Sequence, residues 1–448
     1  MKRTISVILN EWERCPPLQW PDRQPVFFPP SDSAHATAEK LTLSNILSVV
    51  ETRHGIALEA SSFVGRIQLG PVKITIQPKI QGLQLLRLMR YAYGLRDLKL
   101  FSNVDFDLQK DAFQEILISQ LAMEAENLLS RGLHRQYVRH TAELVSPRGR
   151  IDINRIAANG GVIDSTLPCT YHPRDLDCLP NQVLGAGLVL AANICDNIML
   201  RSKLRQLGKG LLAAVSPVRL DHHTFRRLDR ESNRMVDAYQ PAFRIIKILT
   251  QGQGVSLDDQ DLVKFDGFLF DMNRFFQTLL SRFLSDHLAG YEVRDEYGLH
   301  GMMHYQPGGN PQKRRAPCPR PDFAILQKNS LIRLLDAKYR DLWEKPLSRD
   351  MLYQLSIYAL SQPPGPKSEA VILFPTLRRS AREARIQIND PVSCGSRGSV
   401  VIRPVNLDIL DELIAKCGTH GFEKRAFAYA KFLAFGKTSE FVNNNTAP

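Results

Sequence analysis

The feature that most constrains the fold of this chain is the segment Arg320–Tyr339, which reads RPDFAILQKNSLIRLLDAKY. Two apolar runs flank the polar residues 327–330, and this pattern predicts a β-hairpin. Asp322 opens the first run, and Asp336 and Lys338 close the second. Side chains two residues apart share a face of a strand, and antiparallel pairing brings Asp322 beside the other two. The sequence therefore predicts two carboxylates and a lysine at one edge of a sheet.

Such a cluster suits a divalent cation beside a phosphodiester. Mg²⁺ takes few protein ligands and keeps several waters, so Asp322, Asp336 and the carbonyl of Ala337 are the expected ligands, with Mn²⁺ as a substitute ion. The cation would polarise a phosphate and lower the pKa of a bound water. Lys338 would orient that water or offset the charge that builds on the phosphate.

The alternative is that the hairpin is purely structural, because aspartate and lysine are common on exposed strands. The apolar runs beside both carboxylates favour a site, since an unpaired carboxylate next to them would be costly. The helix expected at Asp350–Leu360 adds Gln354 and Tyr358, four residues apart on one face, as further candidate catalytic residues. In the structural alternative, Tyr358 belongs to the core and Gln354 is solvated.

The 448 residues are too many for one ordinary core and predict two or three domains. We expect a mixed α/β protein. Residues 1–255 would form a front region, β-rich to about residue 80 and mainly helical after it. Residues 256–430 would form a second domain and residues 431–448 a C-terminal tail. The boundary follows the linker-like residues 251–254.

Hydrophobic periodicity predicts the individual elements. In the second domain it gives the order α-β-β-β-α-β, with elements at Phe268–Leu288, Tyr291–Tyr297, Asp322–Leu326, Leu331–Lys338, Asp350–Leu360 and Ala370–Phe374. In the front region it predicts a strand at Ile5–Leu9, a hairpin over residues 65–77, and helices at Leu41–Glu51, Leu83–Tyr93, Phe113–Leu129, Asn181–Leu200 and Glu231–Thr250.

The charge balance favours an acidic partner. The chain has 58 Lys and Arg against 46 Asp and Glu, a net charge of +12, and nucleic acid is the commonest partner of such proteins, although not of all of them. Lys313, Arg314 and Arg315, in a glycine-rich loop before Asp322, are the expected contacts to DNA phosphates. The alternative for this run is a solvated loop.

Cysteine usage and hydropathy bear on the compartment. The seven cysteines are odd in number and include no CxxC pair, so we expect reduced thiols in a cytoplasmic protein. No window approaches an apolar membrane span, and we expect neither a signal peptide nor a membrane partner. The sequence contains no GxxxxGK[ST] motif, so nucleotide-driven movement of DNA would need another subunit.

Asp322, the triplet Asp336-Ala-Lys338 and the pair Gln354 and Tyr358, in this order of elements, resemble the PD-(D/E)xK nuclease superfamily and its RecB-like branch. Further segments look like McrC, the nuclease subunit of McrBC modification-dependent restriction systems. They are Ile76-Gln-Pro-Lys79, Gly149-Arg-Ile-Asp152, Leu179-Pro-Asn181, Asp271-Met-Asn-Arg-Phe-Phe-Gln277 and Leu334-Leu-Asp-Ala-Lys-Tyr339.

The resemblance implies a restriction-endonuclease-like domain that hydrolyses double-stranded DNA with Mg²⁺. Asp322 and Asp336 would be metal ligands and Lys338 the catalytic lysine. It also implies a McrB-like AAA+ GTPase ring as partner, which the front region would engage and stimulate, and which would recognise methylated cytosine. Arg148 and Arg150 are candidate contacts to that partner's nucleotide site, although a simple turn with an Asp-Arg pair is the alternative.

One position departs from the superfamily pattern. Gln277 stands where many members carry a glutamate near the metal, which argues against a second metal ion unless Glu292 or Glu296 replaces it. Two other functions stay open. One is a stand-alone RecB-like repair or defence nuclease, which a neighbouring AAA+ GTPase gene would exclude. The other is a non-catalytic adaptor that regulates an NTPase ring, against which the intact hairpin cluster argues.

Overall fold

The computed structural model of the protein describes residues 5–17, 26–28, 34–80, 82–95, 113–160, 165–231, 236–257, 261–264, 266–362, 368–416 and 421–436. It is a mixed α/β protein, as the sequence predicted. Within these residues no helix combines the length and apolar character that crossing a bilayer requires.

Residues 5–95 build small sheets with short helices against them. The elements are β1 (Ile5–Asn10), β2 (Arg14–Cys15), α1 (Ala34–Leu43), β3 (Leu47–Thr52), β4 (Gly55–Ala60), β5 (Phe63–Leu69), β6 (Val72–Gln77) and α2 (Gly82–Tyr93). The predicted strand β1, hairpin β5–β6 and helix α2 are confirmed. The helix expected at Leu41–Glu51 is wrong. Helix α1 ends at Leu43, Asn45 takes a left-handed φ of 53° that stops it, and the β-branched stretch after it becomes β3.

Residues 113–253 are mainly helical. The elements are α3 (Phe113–Arg131), β7 (Gln136–Tyr137), β8 (His140–Leu144), β9 (Arg150–Ile151), α4 (Ile153–Ala158), β10 (Leu167–Tyr171), β11 (Arg174–Asp175), α5 (Leu179–Ile194), α6 (Ile198–Leu212), α7 (His222–Glu231) and α8 (Gln240–Gln253). The single helix predicted at Asn181–Leu200 is divided, because Asn197 caps a new helix by accepting a hydrogen bond from the Leu200 N–H. The helix predicted at Glu231–Thr250 begins only at Gln240, just before Pro241.

Residues 254–436 contain the strands β12 (Gly254–Leu257), β13 (Asp261–Lys264), β14 (Asp266–Asp271), β15 (Glu292–Asp295), β16 (Phe323–Gln327), β17 (Ser330–Ala337), β18 (Glu369–Thr376), β19 (Ala384–Asn389) and β20 (Ser396–Asn406). The helices are α9 (Met272–His287), α10 (Arg349–Leu360), α11 (Leu407–Ala415) and α12 (Phe422–Phe435). From α9 to β18 the order is α-β-β-β-α-β, as predicted.

Three details differ from the expectations for this part. The helix expected from Phe268 begins at Met272, because Asp271 caps it and residues 266–271 form β14. The expected linker 251–254 consists of the end of α8 and the start of β12. Helix α12 runs to Phe435, so residues 431–435 are helical where a tail was expected, and residues 437–448 lie outside the described part.

Two sheets dominate the molecule. The first has the order β1-β6-β5-β14, in which β1 pairs parallel to β6 and β14 pairs antiparallel to β5. A strand that follows the predicted boundary at residue 255 thus completes the front sheet; the boundary itself stays a prediction. The second sheet has the order β15-β16-β17-β18-β20-β19. Helix α9 lies between them and buries Phe275, Phe276, Leu279, Leu280 and Phe283 completely.

Candidate active site

The β16–β17 hairpin brings the three predicted charged residues together. Phe323 pairs with Leu335, so Asp322, just before β16, lies opposite Asp336 near the end of β17. The Asp322 carboxylate accepts a hydrogen bond of 2.7 Å from the Ala337 N–H. The Lys338 Nζ lies 3.3 Å from the Asp336 Oδ2. Because β17 also pairs parallel to β18, the hairpin end is held from both sides.

Burial dominates the electrostatics of this cluster. Asp336 is 1% exposed, and burial, followed by the charge of Asp322, raises its pKa to about 7. Burial also raises the pKa of Asp322, against the opposing effects of Lys338 and the Ala337 N–H. Burial by itself would lower the pKa of Lys338, but the two carboxylates outweigh it and the pKa is raised. The lysine therefore stays protonated at neutral pH.

The donor set fits a hard divalent cation. Within the described residues the Asp336 Oδ1 is buried and receives no hydrogen bond, although it stands beside a second carboxylate and such an atom is costly to leave unsatisfied. A cation ligated by both carboxylates would satisfy it. Across the described chain no three His, Cys, Asp or Glu side chains converge on one point, so the remaining ligands would be waters, substrate oxygens and backbone. The role of the Ala337 carbonyl as a ligand stays a prediction.

Gln277 lies at the site, one helical turn into α9. Its side chain hydrogen-bonds the Asp322 carboxylate, which lowers the pKa of that group. The two glutamates considered as replacements do not complete the acid cluster. Glu292 is held by Arg294 at 2.7 Å on the exposed β15. Glu296 is exposed, with a left-handed φ of 48°, and its N–H donates to the backbone carbonyl of Asp322.

Gln354 and Tyr358 of α10 contact the backbone that leads into Asp322. The Gln354 Nε2 donates to the Tyr358 hydroxyl at 2.7 Å, and that hydroxyl donates to the Arg320 carbonyl at 2.9 Å. Tyr358 is 2% exposed, and burial raises its pKa to about 12. These contacts hold the backbone two residues before Asp322. A direct catalytic role for the pair stays a prediction.

The residues that support the backbone after Lys338 had no role assigned from the sequence, although Asn273 and Tyr339 lie in the McrC-like segments. The Tyr339 N–H donates to the Asn273 Oδ1 at 3.0 Å, and the Tyr339 hydroxyl donates to the buried Glu11 at 3.4 Å. Both contacts join segments that are distant in sequence. The available signal was the glutamate that directly follows the apolar strand β1, a place where a buried charge requires a partner.

The predicted binding residues lie on exposed segments. Lys313, Arg314 and Arg315 belong to the exposed loop before β16. The Asn310 side chain accepts a hydrogen bond from the Arg314 N–H and donates one to the Arg314 carbonyl. Arg148 and Arg150 are exposed at the tip of the small sheet β8-β10-β9, which together with α4 we call the arm. These placements leave all five residues accessible to a large partner.

The tip of the arm has a tightly built turn. Gly149, between the two arginines, has φ 68°, and a Cβ at this position would lie 2.5 Å from the Thr170 carbonyl oxygen. The Arg148 guanidinium lies over the Tyr171 ring, 6.0 Å from its centroid. The turn therefore presents Arg148 and Arg150 in a defined geometry that only glycine permits.

Comparison with known proteins gives the family. A family model described as McrBC 5-methylcytosine restriction system component matches residues 58–375. The chain belongs to the McrBC family. The matched region includes the Asp322, Asp336 and Lys338 cluster together with most of the front region, and it confirms the resemblance to McrBC systems stated from the sequence. No curated protein matches this McrBC-family chain.

Two solved structures resemble this McrBC-family chain, and the first, at a TM-score of 0.59, shares its fold. One is a chain of the refined half-complex from the tetradecameric assembly of Thermococcus gammatolerans McrB AAA+ hexamers with bound McrC. It is 17% identical, with a TM-score of 0.59, and the match covers 94% of this chain and 98% of that chain. A chain of the Thermococcus gammatolerans McrBC complex is 20% identical over 65% of this chain and 89% of that chain, with a TM-score of 0.44.

Proposed function

We propose that this McrBC-family chain is the DNA endonuclease subunit of a restriction system, with a PD-(D/E)xK nuclease domain over residues 256–430. The observation that carries the proposal is the cluster of the buried Asp336 and the half-buried Asp322 and Lys338 at the end of a hairpin. Two carboxylates and a protonated lysine at one sheet edge suit Mg²⁺-dependent hydrolysis of phosphodiesters.

Each residue of the cluster has a separate task in this proposal. Asp322 and Asp336 would hold Mg²⁺, or Mn²⁺ in its place. When bound, the ion would polarise the scissile phosphate and lower the pKa of a coordinated water. Lys338, next to the two carboxylates, would orient that water or offset the charge that builds on the phosphate. Gln277 orients Asp322 from the side of α9.

The partner in this proposal is a McrB-like AAA+ GTPase ring. The structural neighbour above contains McrB AAA+ hexamers with bound McrC, and this chain shares its fold over nearly the whole length. The arm that carries Arg148 and Arg150 also exposes the apolar side chains Val145 and Ile153, at 81% and 73%. An exposed turn that combines arginine with apolar groups is suited to a protein interface. We assign contact with the ring, and stimulation of its GTPase activity, to this arm.

The substrate in this proposal is double-stranded DNA, methylated where the ring selects it. The net charge of +12 favours a polyanion. The Lys313, Arg314 and Arg315 loop joins the chain just ahead of Asp322 and is exposed, so it would contact phosphates that flank the cleaved bond.

The test is a cleavage assay with purified protein on methylated and unmethylated duplexes. The assay is run with and without the neighbouring McrB-like protein, GTP and Mg²⁺. We expect cutting only with Mg²⁺, and strongest with partner, GTP and methylated DNA. The Asp336→Ala variant should still stimulate the GTPase but cut no DNA, whereas undiminished cutting by it would refute the site.

Cutting that needs neither partner nor GTP would favour a stand-alone nuclease. A wild-type protein that stimulates the GTPase but never cuts would favour an adaptor.

A further inference from the structure

The turn that follows strand β1 of the front sheet contacts the segment directly after Lys338. Strand β1 ends at Asn10, and the turn after it is closed by the Glu13 N–H, which donates to the Asn10 carbonyl at 3.1 Å. Trp12 in this turn has a left-handed φ of 62°, a conformation that bulky residues rarely adopt. Its N–H donates to the Ser61 carbonyl at 3.3 Å. Such strain is retained where the surroundings determine it and often marks a functional position.

Glu11 points into the protein from this turn. It is 3% exposed, and its Oε1 accepts hydrogen bonds from the Lys79 N–H at 3.2 Å and from the Tyr339 hydroxyl at 3.4 Å. Tyr339 is itself 3% exposed and directly follows Lys338. A buried carboxyl is costly unless it is hydrogen-bonded. The two bonds to Oε1 offset this cost, since Oε2 has no partner among the described residues.

Tyr339 is gripped from three directions. Its hydroxyl meets Glu11 from the front sheet, and its N–H donates to Asn273 at the start of α9. Its ring packs edge-on against Phe276, with centroids 5.9 Å apart. Asn273 is held in turn by the Ser62 hydroxyl, 2.7 Å from its amide nitrogen. The backbone at Tyr339 is therefore fixed by residues of the front sheet and by the helix that also carries Gln277.

Trp12 adds a second contact to the same segment. The Arg340 guanidinium lies 5.8 Å from the centroid of the Trp12 ring, and the Lys345 ammonium lies 5.9 Å from it. Cation–π contacts of this kind are worth about 0.5–1 kcal/mol when exposed and more when desolvated. Adjacent residues of one strained turn thus hold adjacent residues of the segment after Lys338.

We propose that Glu11 is a positioning residue for the nuclease site, which it serves by fixing Tyr339 and thereby the direction of the Lys338 side chain relative to Asp336. This inference rests on the proposed function. It assigns to the front sheet a part in the alignment of the site, whereas partner binding is assigned to the arm. Misplacement of a catalytic group by about 1 Å can lower a rate roughly 100-fold, so a remote anchor of this kind has a measurable effect.

The experiment uses the full-length protein and its partner, with the variants Glu11→Ala, Tyr339→Phe, the double variant and Glu11→Gln. Glu59→Gln is the matched control, because Glu59 is a glutamate of the front region that pairs with Arg14 at the surface. Two properties are measured for each variant. The first is the kcat and KM of cleavage. The second is amide hydrogen exchange at Lys338 and Tyr339, whose N–H groups bond Leu373 and Asn273.

We expect Glu11→Ala and Tyr339→Phe each to lower kcat about tenfold while KM for DNA changes less than about twofold. The double variant should be no worse than either single variant, because both remove the same contact. Exchange at Lys338 and Tyr339 should accelerate in these variants but not at the core of β18. Glu11→Gln, which keeps an acceptor, should restore kcat to within about threefold.

Unchanged exchange at Lys338 and Tyr339 in Glu11→Ala would overturn the proposal, whatever the cleavage result. A normal kcat in folded Glu11→Ala and Tyr339→Phe proteins would also overturn it. If the wild-type protein cuts no DNA under any condition, the proposed function fails. The exchange measurement still decides whether Glu11 positions the segment.

Discussion

At the residue scale, Asp336 is held in a position that suits a cation ligand. Its carboxylate is buried, stands beside Asp322 and leaves Oδ1 without a hydrogen bond among the described residues. Lys338 compensates part of this charge from one side. Groups whose pKa is strongly shifted by burial and by a charged neighbour are typical of functional sites.

Replacing Lys338 with methionine should slow cleavage and change its pH dependence. The lysine charge lowers the pKa of both carboxylates, so its removal should raise both pKa values and shift the rising limb of the pH–rate profile to higher pH. We expect kcat to fall about 100-fold or more at neutral pH. The measurements are kcat at saturating Mg²⁺ and a pH–rate profile at subsaturating Mg²⁺, where protons compete with the ion for the two carboxylates. Lys424→Met on the exposed face of α12 is the control, and an unshifted profile would contradict the assignment.

Glu11→Gln should stabilise the protein at high pH. Burial, opposed by the Lys79 N–H and charge, raises the pKa of Glu11 from 4.5 to about 8. A carboxyl with a raised pKa in the folded state favours folding below its unfolded pKa, and this contribution is lost as the pH rises through the folded value. The variant should therefore match the wild type at pH 4 and exceed it at pH 9 by about 1–3 kcal/mol in free energy of unfolding. Urea denaturation at both pH values measures this, and equal stability at pH 9 would contradict the burial of a charge.

At the element scale, local sequence patterns predicted most helices and strands, whereas contacts between distant segments could not be predicted. The α-β-β-β-α-β order and the hairpin were predictable because periodicity and turns are local, and the partners Asp322 and Asp336 lie on adjacent strands. The division of the helix predicted at Asn181–Leu200 depends on one side-chain cap, which periodicity does not register. The contact between Glu11 and Tyr339 joins residues 328 positions apart, and no local pattern encodes it.

Gly149→Ala should damage the arm specifically. A Cβ there would meet the Thr170 carbonyl at 2.5 Å in a left-handed conformation, so β9 and β10 must separate locally at a cost of about 1–3 kcal/mol. We expect stimulation of a McrB-like GTPase to fall at least about fivefold, while the circular dichroism of the whole protein is unchanged. Gly160→Ala is the matched control, with φ 73° and no atom within 4 Å of the added Cβ. An equal decrease in both variants would show general disruption of the arm.

At the scale of the whole molecule, the two sheets are joined by more than the covalent chain. Strand β14 completes the front sheet and leads directly into α9, the helix that carries Gln277. A second link joins α2, which follows β6 of the front sheet, to α11, which follows β20 of the second sheet. The Arg87 guanidinium of α2 donates to the Asp411 carboxylate of α11 at 2.9 Å. Basic residues occur both before and after residue 255. The contribution of each basic segment to DNA binding must therefore be tested separately.

Neutralising Lys313, Arg314 and Arg315 together as glutamines should weaken DNA binding and flatten its salt dependence. Removing one cation from a DNA phosphate lowers the slope of log K against log salt by about 0.9, so we expect a decrease of roughly 2–3. Titration of a labelled duplex between low and moderate salt measures the slope. The control replaces Arg226, Arg227 and Arg230 of α7, another exposed basic run. An unchanged slope in the first variant would remove the loop from the DNA interface.

The pairing of β14 with β5 limits how this protein can be divided. A C-terminal fragment that begins after residue 255 would carry Phe268, Leu269 and Phe270 on a strand without its neighbour. The N-terminal fragment would have β5 as an exposed edge strand. Exposed rims of that kind invite aggregation. A chimaera that exchanges the residues after 255 between relatives would therefore have to carry β5 along with β14.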